Sequence, residues 1–154
     1  MRAKMVVAIV AVSSTLSLGI AATPANSDAT TDRTAGPTTD RNPMNGAFEG
    51  YCTWGAQEQI HEHTGYYVKA LNGNAEDWAN EAMAAGWTVV WDPQPRSVAV
   101  FSSALVGGVG HVAWVDAVFG NRVTIIEMNG VAGFHEFNSR TFNNVPGIGY
   151  ILIP

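Results

Sequence analysis

The stretch from His111 to Met128 constrains this chain more than any other. His111 to Phe119 is mostly apolar, Gly120-Asn121 is a turn pair, and Val123 to Met128 is apolar again. Two such runs joined by a tight turn read as a β-hairpin, so the fold contains an antiparallel sheet. Other segments can extend it. Trp87 to Trp91 stops at Asp92-Pro93, Ser97 to Phe101 begins after Pro95, and Gly149 to Ile153 is a final apolar run. Ahead of Gly86 the pattern is helical. In Cys52 to about Thr64, Ala56 and Ile60 lie four apart. Gln57, Glu58, Gln59, Glu62 and His63 supply a polar face, and Gly65 is a stop. Asn74 offers a cap for a second helix, with Asp77 in the capping-box position. That helix runs through Trp78, Ala82 and Met83 and ends at Gly86. Two helices followed by about five strands is the order of an α+β domain, with N-terminal helices packed on one side of an antiparallel sheet.

The first residues read as an address. Met1-Arg2-Ala3-Lys4 is a basic start, Met5 to Ala22 is apolar, and small residues continue to Ala25. This layout predicts a cleaved signal peptide over residues 1–25 and a secreted or cell-wall-associated protein. The apolar run of about 18 residues is at the lower limit for a membrane span. It contains Ser13, Ser14, Thr15 and Ser17, and no basic cluster follows it, so no stable membrane anchor is expected after cleavage. Residues 26–45 are rich in Thr, Asp and Pro with almost nothing apolar, which predicts a disordered linker. The folded domain is expected over residues 46–154, as a monomer. Losing Arg2 and Lys4 leaves six basic residues against 13 acidic ones, a formal charge of −7. Such a surface has no basic stripe for nucleic acid.

The chain has one cysteine, Cys52, so no intramolecular disulfide is possible. In an oxidising compartment a lone thiol is partnered, buried or reactive. Taken alone, burial is the commoner fate. Cys52 falls in the first turn of a helix, where free N–H groups and the helix dipole favour a thiolate. His111 opens the hairpin, and Glu127 and Asn129 lie at its other end. They are two residues apart and so share a face. A carboxylate between Ile126 and Met128 is costly unless paired. Thiol, imidazole, carboxylate and amide together form the set needed for cysteine-based acyl transfer. Singly, each has an ordinary reading: a satisfied strand histidine, a strand-end acid, an Asn-Gly turn. A metal site from His61, His63 and His135 is the weaker alternative, because His-Glu-His lacks the i, i+4 spacing of a helical ligand pair.

These residues resemble the CHAP family, the cysteine- and histidine-dependent amidohydrolases/peptidases. The resemblance rests on Gly50-Tyr51-Cys52-Thr53-Trp54, Gly73-Asn74-Ala75 with Trp78, Gly110-His111-Val112-Ala113 and Glu127-Met128-Asn129. It implies a papain-like α+β fold and hydrolysis of amide bonds in bacterial peptidoglycan, with no cofactor. By it, Cys52 is the nucleophile, His111 the general base and acid, Glu127 the group orienting His111, and Asn129 a supporting polar residue. Two other readings stand beside it. One is a weakly active or non-hydrolytic binding module, which the acidic charge motivates. The other is a secreted cysteine peptidase acting on proteins.

Overall fold

The computed structural model describes residues 32–154, so the signal peptide expected over residues 1–25 lies outside the described residues. In chain order the elements are β1 (Thr38–Thr39), α1 (Cys52–Thr64), β2 (Tyr67–Val68), a 3-10 turn (Ala75–Asp77), α2 (Trp78–Ala84), β3 (Val89–Val90), β4 (Ser97–Phe101), α3 (Ser103–Val106), β5 (His111–Phe119), β6 (Arg122–Met128), β7 (Phe137–Asn143) and β8 (Gly149–Leu152). The fold is α+β. Six strands form one antiparallel sheet in the order β3-β8-β4-β5-β6-β7, and β1 pairs with β2 separately. The hairpin is β5–β6, paired from Phe119↔Arg122 to Trp114↔Ile126 with a bulge between Val115 and Ala117.

Each face of the sheet has its own core. On one side α1 and α2 bring Ile60 and Trp78 against Val98, Trp114 and Ile151. On the other, Ala99, Ala113, Ile125 and Tyr150 pack together without a helix. β4 and β8 are buried at every residue, which is why their sequences are continuous apolar runs and not alternating ones. Each large side chain fully buried here contributes roughly 1.5–3 kcal/mol of transfer free energy. Three of the five tryptophans, Trp78, Trp87 and Trp114, belong to this core.

The structure departs from the sequence expectations in four places. First, residues 32–45 are part of the folded domain and not a disordered linker. Met44 is 1% exposed, β1 pairs with β2, and the Asn42 side-chain amide donates to Trp54 O (3.2 Å) and Glu58 Oε1 (2.8 Å). The Arg33 guanidinium donates to Pro95 O (2.8 Å) and Ile153 O (3.1 Å). Specific hydrogen bonds and one buried methionine hold this segment, and composition does not reveal them. Second, the polar face of α1 is only partly in water: Glu62 and His63 are exposed, but Gln57 and Gln59 are buried. Gln57 is fully buried, its amide donating to Val68 O (2.8 Å) and Leu71 O (3.0 Å) while its oxygen accepts from Val68 N–H (3.0 Å). Third, Asn74 forms no side-chain cap. Fourth, β7 was not anticipated. Its sequence, Phe-Asn-Ser-Arg-Thr-Phe-Asn, has no apolar stripe because it is a half-exposed edge strand.

Candidate active site

Cys52 is the first residue of α1. Tyr51 stands in the cap position with extended backbone and no side-chain cap hydrogen bond. Its ring cannot satisfy the opening N–H groups of the helix as Ser or Asp would. The thiol therefore sits at an uncapped, electropositive helix end. It is unpaired and 9% exposed.

His111 is the first residue of β5, directly after Gly110. Gly110 has φ +81°, and a Cβ there would collide with Phe101 O and Glu76, so this approach requires glycine. The imidazole lies between two partners. Its Nε2 donates to Glu127 Oε2 at 2.8 Å. Cys52 is its second interaction partner and helps to hold the imidazole in its charged form. With Nε2 committed to the carboxylate, Nδ1 is the nitrogen left for the sulfur.

Glu127 lies in β6 and is 2% exposed. Register explains its surroundings. It pairs with Asn138, while Ile125, two residues back on the same face, pairs with Arg140. Asn138 Nδ2 donates to Glu127 Oε1 at 2.9 Å, and Arg140 Nε donates to the same oxygen at 2.7 Å. The buried carboxylate is thus held by three donors, which satisfies the demand its burial creates. Gly130 leaves the room this requires, since a Cβ there would strike the Glu127 carboxyl group.

These contacts set the charges. Burial alone would lower the His111 pKa, but hydrogen bonds and attraction from Cys52 and Glu127 outweigh it and raise the group to about 9. Burial alone would raise Glu127, but His111, Arg140 and Asn138 outweigh it and lower the group to about 2. At neutral pH the imidazole is therefore charged and held by a charged carboxylate.

Of the residues expected at the site, Cys52, His111 and Glu127 come together in one chain of contacts. Asn129 lies beside them, in left-handed backbone (φ +54°), and lines a cavity with His111 and Glu127. Among the described residues its side chain makes no hydrogen bond to either. Asn138 makes the amide contact to Glu127. Asn138 and Arg140 escape sequence reading together with β7, whose largely polar run carries no apolar alternation to mark it as a strand. The remaining histidines are dispersed. His61 stacks on Tyr67, His63 on Trp114, and His135 beside Phe134. Among the described residues no three His, Cys, Asp or Glu side chains are grouped to hold a metal ion.

Two openings flank the Cys52–His111 pair. One, of about 220 Å³, is lined by Cys52 with mostly apolar neighbours, including Met44, Phe48, Tyr51 and Val109. The other, of about 370 Å³, is lined by His111, Glu127, Asn129 and Arg140, with Val106 and Val131 at its edges.

The CHAP domain matches residues 41–129, more than half of the chain. The chain is 34% identical over 105 residues to the Staphylococcal secretory antigen ssaA2 of Staphylococcus aureus (strain NCTC 8325 / PS 47), covering 68% of this chain and 37% of that protein. It is 38% identical over 103 residues to the "Probable autolysin LDP" of the same strain, covering 66% and 35%. A solved N-acetylmuramoyl-L-alanine amidase from Staphylococcus aureus superposes with a TM-score of 0.61 at 28% identity, covering 68% of this chain and 31% of that one. The chain spans about a third of the length of these relatives. The matched segment contains Cys52, His111, Glu127 and Asn129, and the chain belongs to the CHAP domain family.

Proposed function

We propose that this chain is a secreted, cysteine-dependent peptidoglycan hydrolase that cleaves an amide bond. The observation that carries the reading is the convergence of the Cys52 thiol at the start of α1 with the His111 imidazole, which is bonded to the buried Glu127 carboxylate. The secretory and autolysin relatives, and the amidase neighbour, support wall peptidoglycan as the substrate.

The proposed mechanism uses each group once in each direction. The Cys52 thiolate attacks the amide carbonyl carbon, and the carbonyl π electrons move to oxygen. The free N–H groups at the start of α1 face the resulting oxyanion. As the C–N bond breaks, His111 gives its proton to the departing amine, leaving a thioester on Cys52. His111 then takes a proton from water as the water attacks the thioester. The carboxylic acid leaves and the thiolate–imidazolium pair is restored. Glu127 fixes the ring and stabilises its charged form, and Asn129 offers a polar contact to substrate at the cavity wall. Residues 1–25 serve as the export signal.

The test is digestion of purified peptidoglycan by the wild-type chain and by Cys52→Ala, with soluble products read by mass spectrometry. Wild type should release fragments, and the variant should be slower by at least about 10⁴-fold. Fragment masses separate amidase from endopeptidase cleavage. If folded, reduced wild type releases nothing from several wall types, the hydrolase reading fails and the acidic binding module takes its place. Cleavage of casein but not of walls would instead identify a protein peptidase.

A further inference from the structure

The larger opening beside His111 contains a cation whose bonding is incomplete. Arg140 uses Nε to hold Glu127. Its terminal nitrogens make no hydrogen bond to any other described residue. The guanidinium is nonetheless fixed, by that bond and by the Phe142 ring, whose centroid is 5.6 Å from its central carbon. The side chain remains 36% exposed and faces a cavity shared with His111 and Asn129. Among the described residues Glu127 is the only acid lining this cavity, and it is already committed to His111, Asn138 and Arg140. A guanidinium held in this way presents its outer edge for a bidentate bond to a planar anion.

The proposed mechanism gives this edge a direction. His111 must hand its proton to the departing amine, so the leaving peptide lies on the His111 side of the scissile bond. The opening on the Cys52 side is mostly apolar and has no charged side chain in its lining. The geometry points to Arg140 as a specificity-determining residue that binds a carboxylate on the leaving peptide, close to the amine being released. This inference rests on the hydrolase reading for its direction and narrows the substrate class to amide bonds whose leaving strand carries a free carboxylate near its new N-terminus. A leaving strand made of neutral residues does not use the subsite.

The experiment uses pairs of synthetic muramyl peptides that differ only in whether the leaving peptide's first side of the cut carries a free carboxyl group or its carboxamide. Wild type should favour the acid by at least about tenfold in kcat/KM, mainly through KM, as loss of a charge-assisted hydrogen bond implies. Arg140→Gln should slow both substrates, because Glu127 loses a donor, and should also bring their ratio close to one. Arg140→Lys, the milder change, should keep part of the preference. A purely structural Arg140 would slow both substrates and leave the ratio untouched, which overturns the inference. Equal rates for acid and amide in wild type overturn it too. Binding of the two free leaving peptides to Cys52→Ala, measured by calorimetry, gives a readout that needs no turnover. Selective binding of the acid, lost when Arg140→Gln is added, supports the subsite even if wild type cleaves neither substrate, and in that case only the hydrolase reading falls. Equal or absent binding of the two peptides overturns the subsite.

Discussion

In the proposed mechanism Glu127 is the residue on which the chemistry turns. It holds the His111 ring through Nε2, and its negative charge is one of the interactions that raise the imidazole pKa to about 9. Glu127→Gln keeps the shape but removes the charge. Hydrolysis should fall by about 10²–10⁴-fold, the range expected when the partner of a catalytic histidine loses its charge. The proposed mechanism needs His111 protonated, so the alkaline limb in wild type should lie near pH 9. Without the anion the imidazole holds its proton less tightly, and the limb should move to lower pH. A pH–rate profile of both proteins checks this, and an unmoved limb would show that Glu127 does not set the His111 charge. Stability follows the same signs. A raised His111 contributes fully below its ordinary 6.5, and that contribution is lost as pH rises through about 9. A depressed Glu127 contributes fully above 4.5 and loses its part as pH falls through about 2. The Tm gap between wild type and Glu127→Gln should therefore narrow as pH rises through 9, leaving the part that Arg140 and Asn138 contribute.

Among the elements, α1 does most of the positioning, and its buried polar side holds it in place. Gln57 makes three hydrogen bonds to the backbone of Val68 and Leu71, tying the segment after α1 back against the helix. Gln57→Leu fits the volume but leaves the Val68 N–H and the Leu71 carbonyl buried without partners, while Val68 O keeps the Leu71 N–H. Each such group costs roughly 1–3 kcal/mol, so a loss of about 3 kcal/mol is expected in denaturant unfolding. A loss under half a kcal/mol would mean that water replaces the amide. β7 matters in another way. As an edge strand it contributes little to the core, yet its inward positions Asn138 and Arg140 complete the shell of Glu127. Gly55 of α1 lies directly against Met128 of β6, which ties the helix carrying the thiol to the strand carrying the carboxylate.

At the scale of the molecule, charge opposes the proposed task. With residues 1–25 removed the formal charge is −7, and an anionic wall repels such a surface. Activity on whole walls should therefore rise as ionic strength increases from about 0.01 to 0.15 M, where the screening length falls from roughly 30 to 8 Å. Rates on small soluble fragments should change far less. A flat response on walls would show that long-range repulsion does not limit access.

Sequence alone determined the α+β class, the extents of α1, β4 and β5, and the chemical set of thiol, imidazole and carboxylate. These are properties of short windows. Periodicities of 3.6 and 2, a glycine stop and a turn pair act over a few residues, and reactive residue types are visible wherever they fall. Tertiary structure decided the rest. It placed Arg33 on the carbonyls of Pro95 and Ile153, turned Gln57 inward, drew residues 32–45 onto the domain, and set Asn138 and Arg140 beside Glu127. Each of these depends on a hydrogen-bond partner supplied by a separate segment of the chain. A polar residue reads the same in sequence whether its partner is water or a buried carbonyl, and only the fold brings the two together.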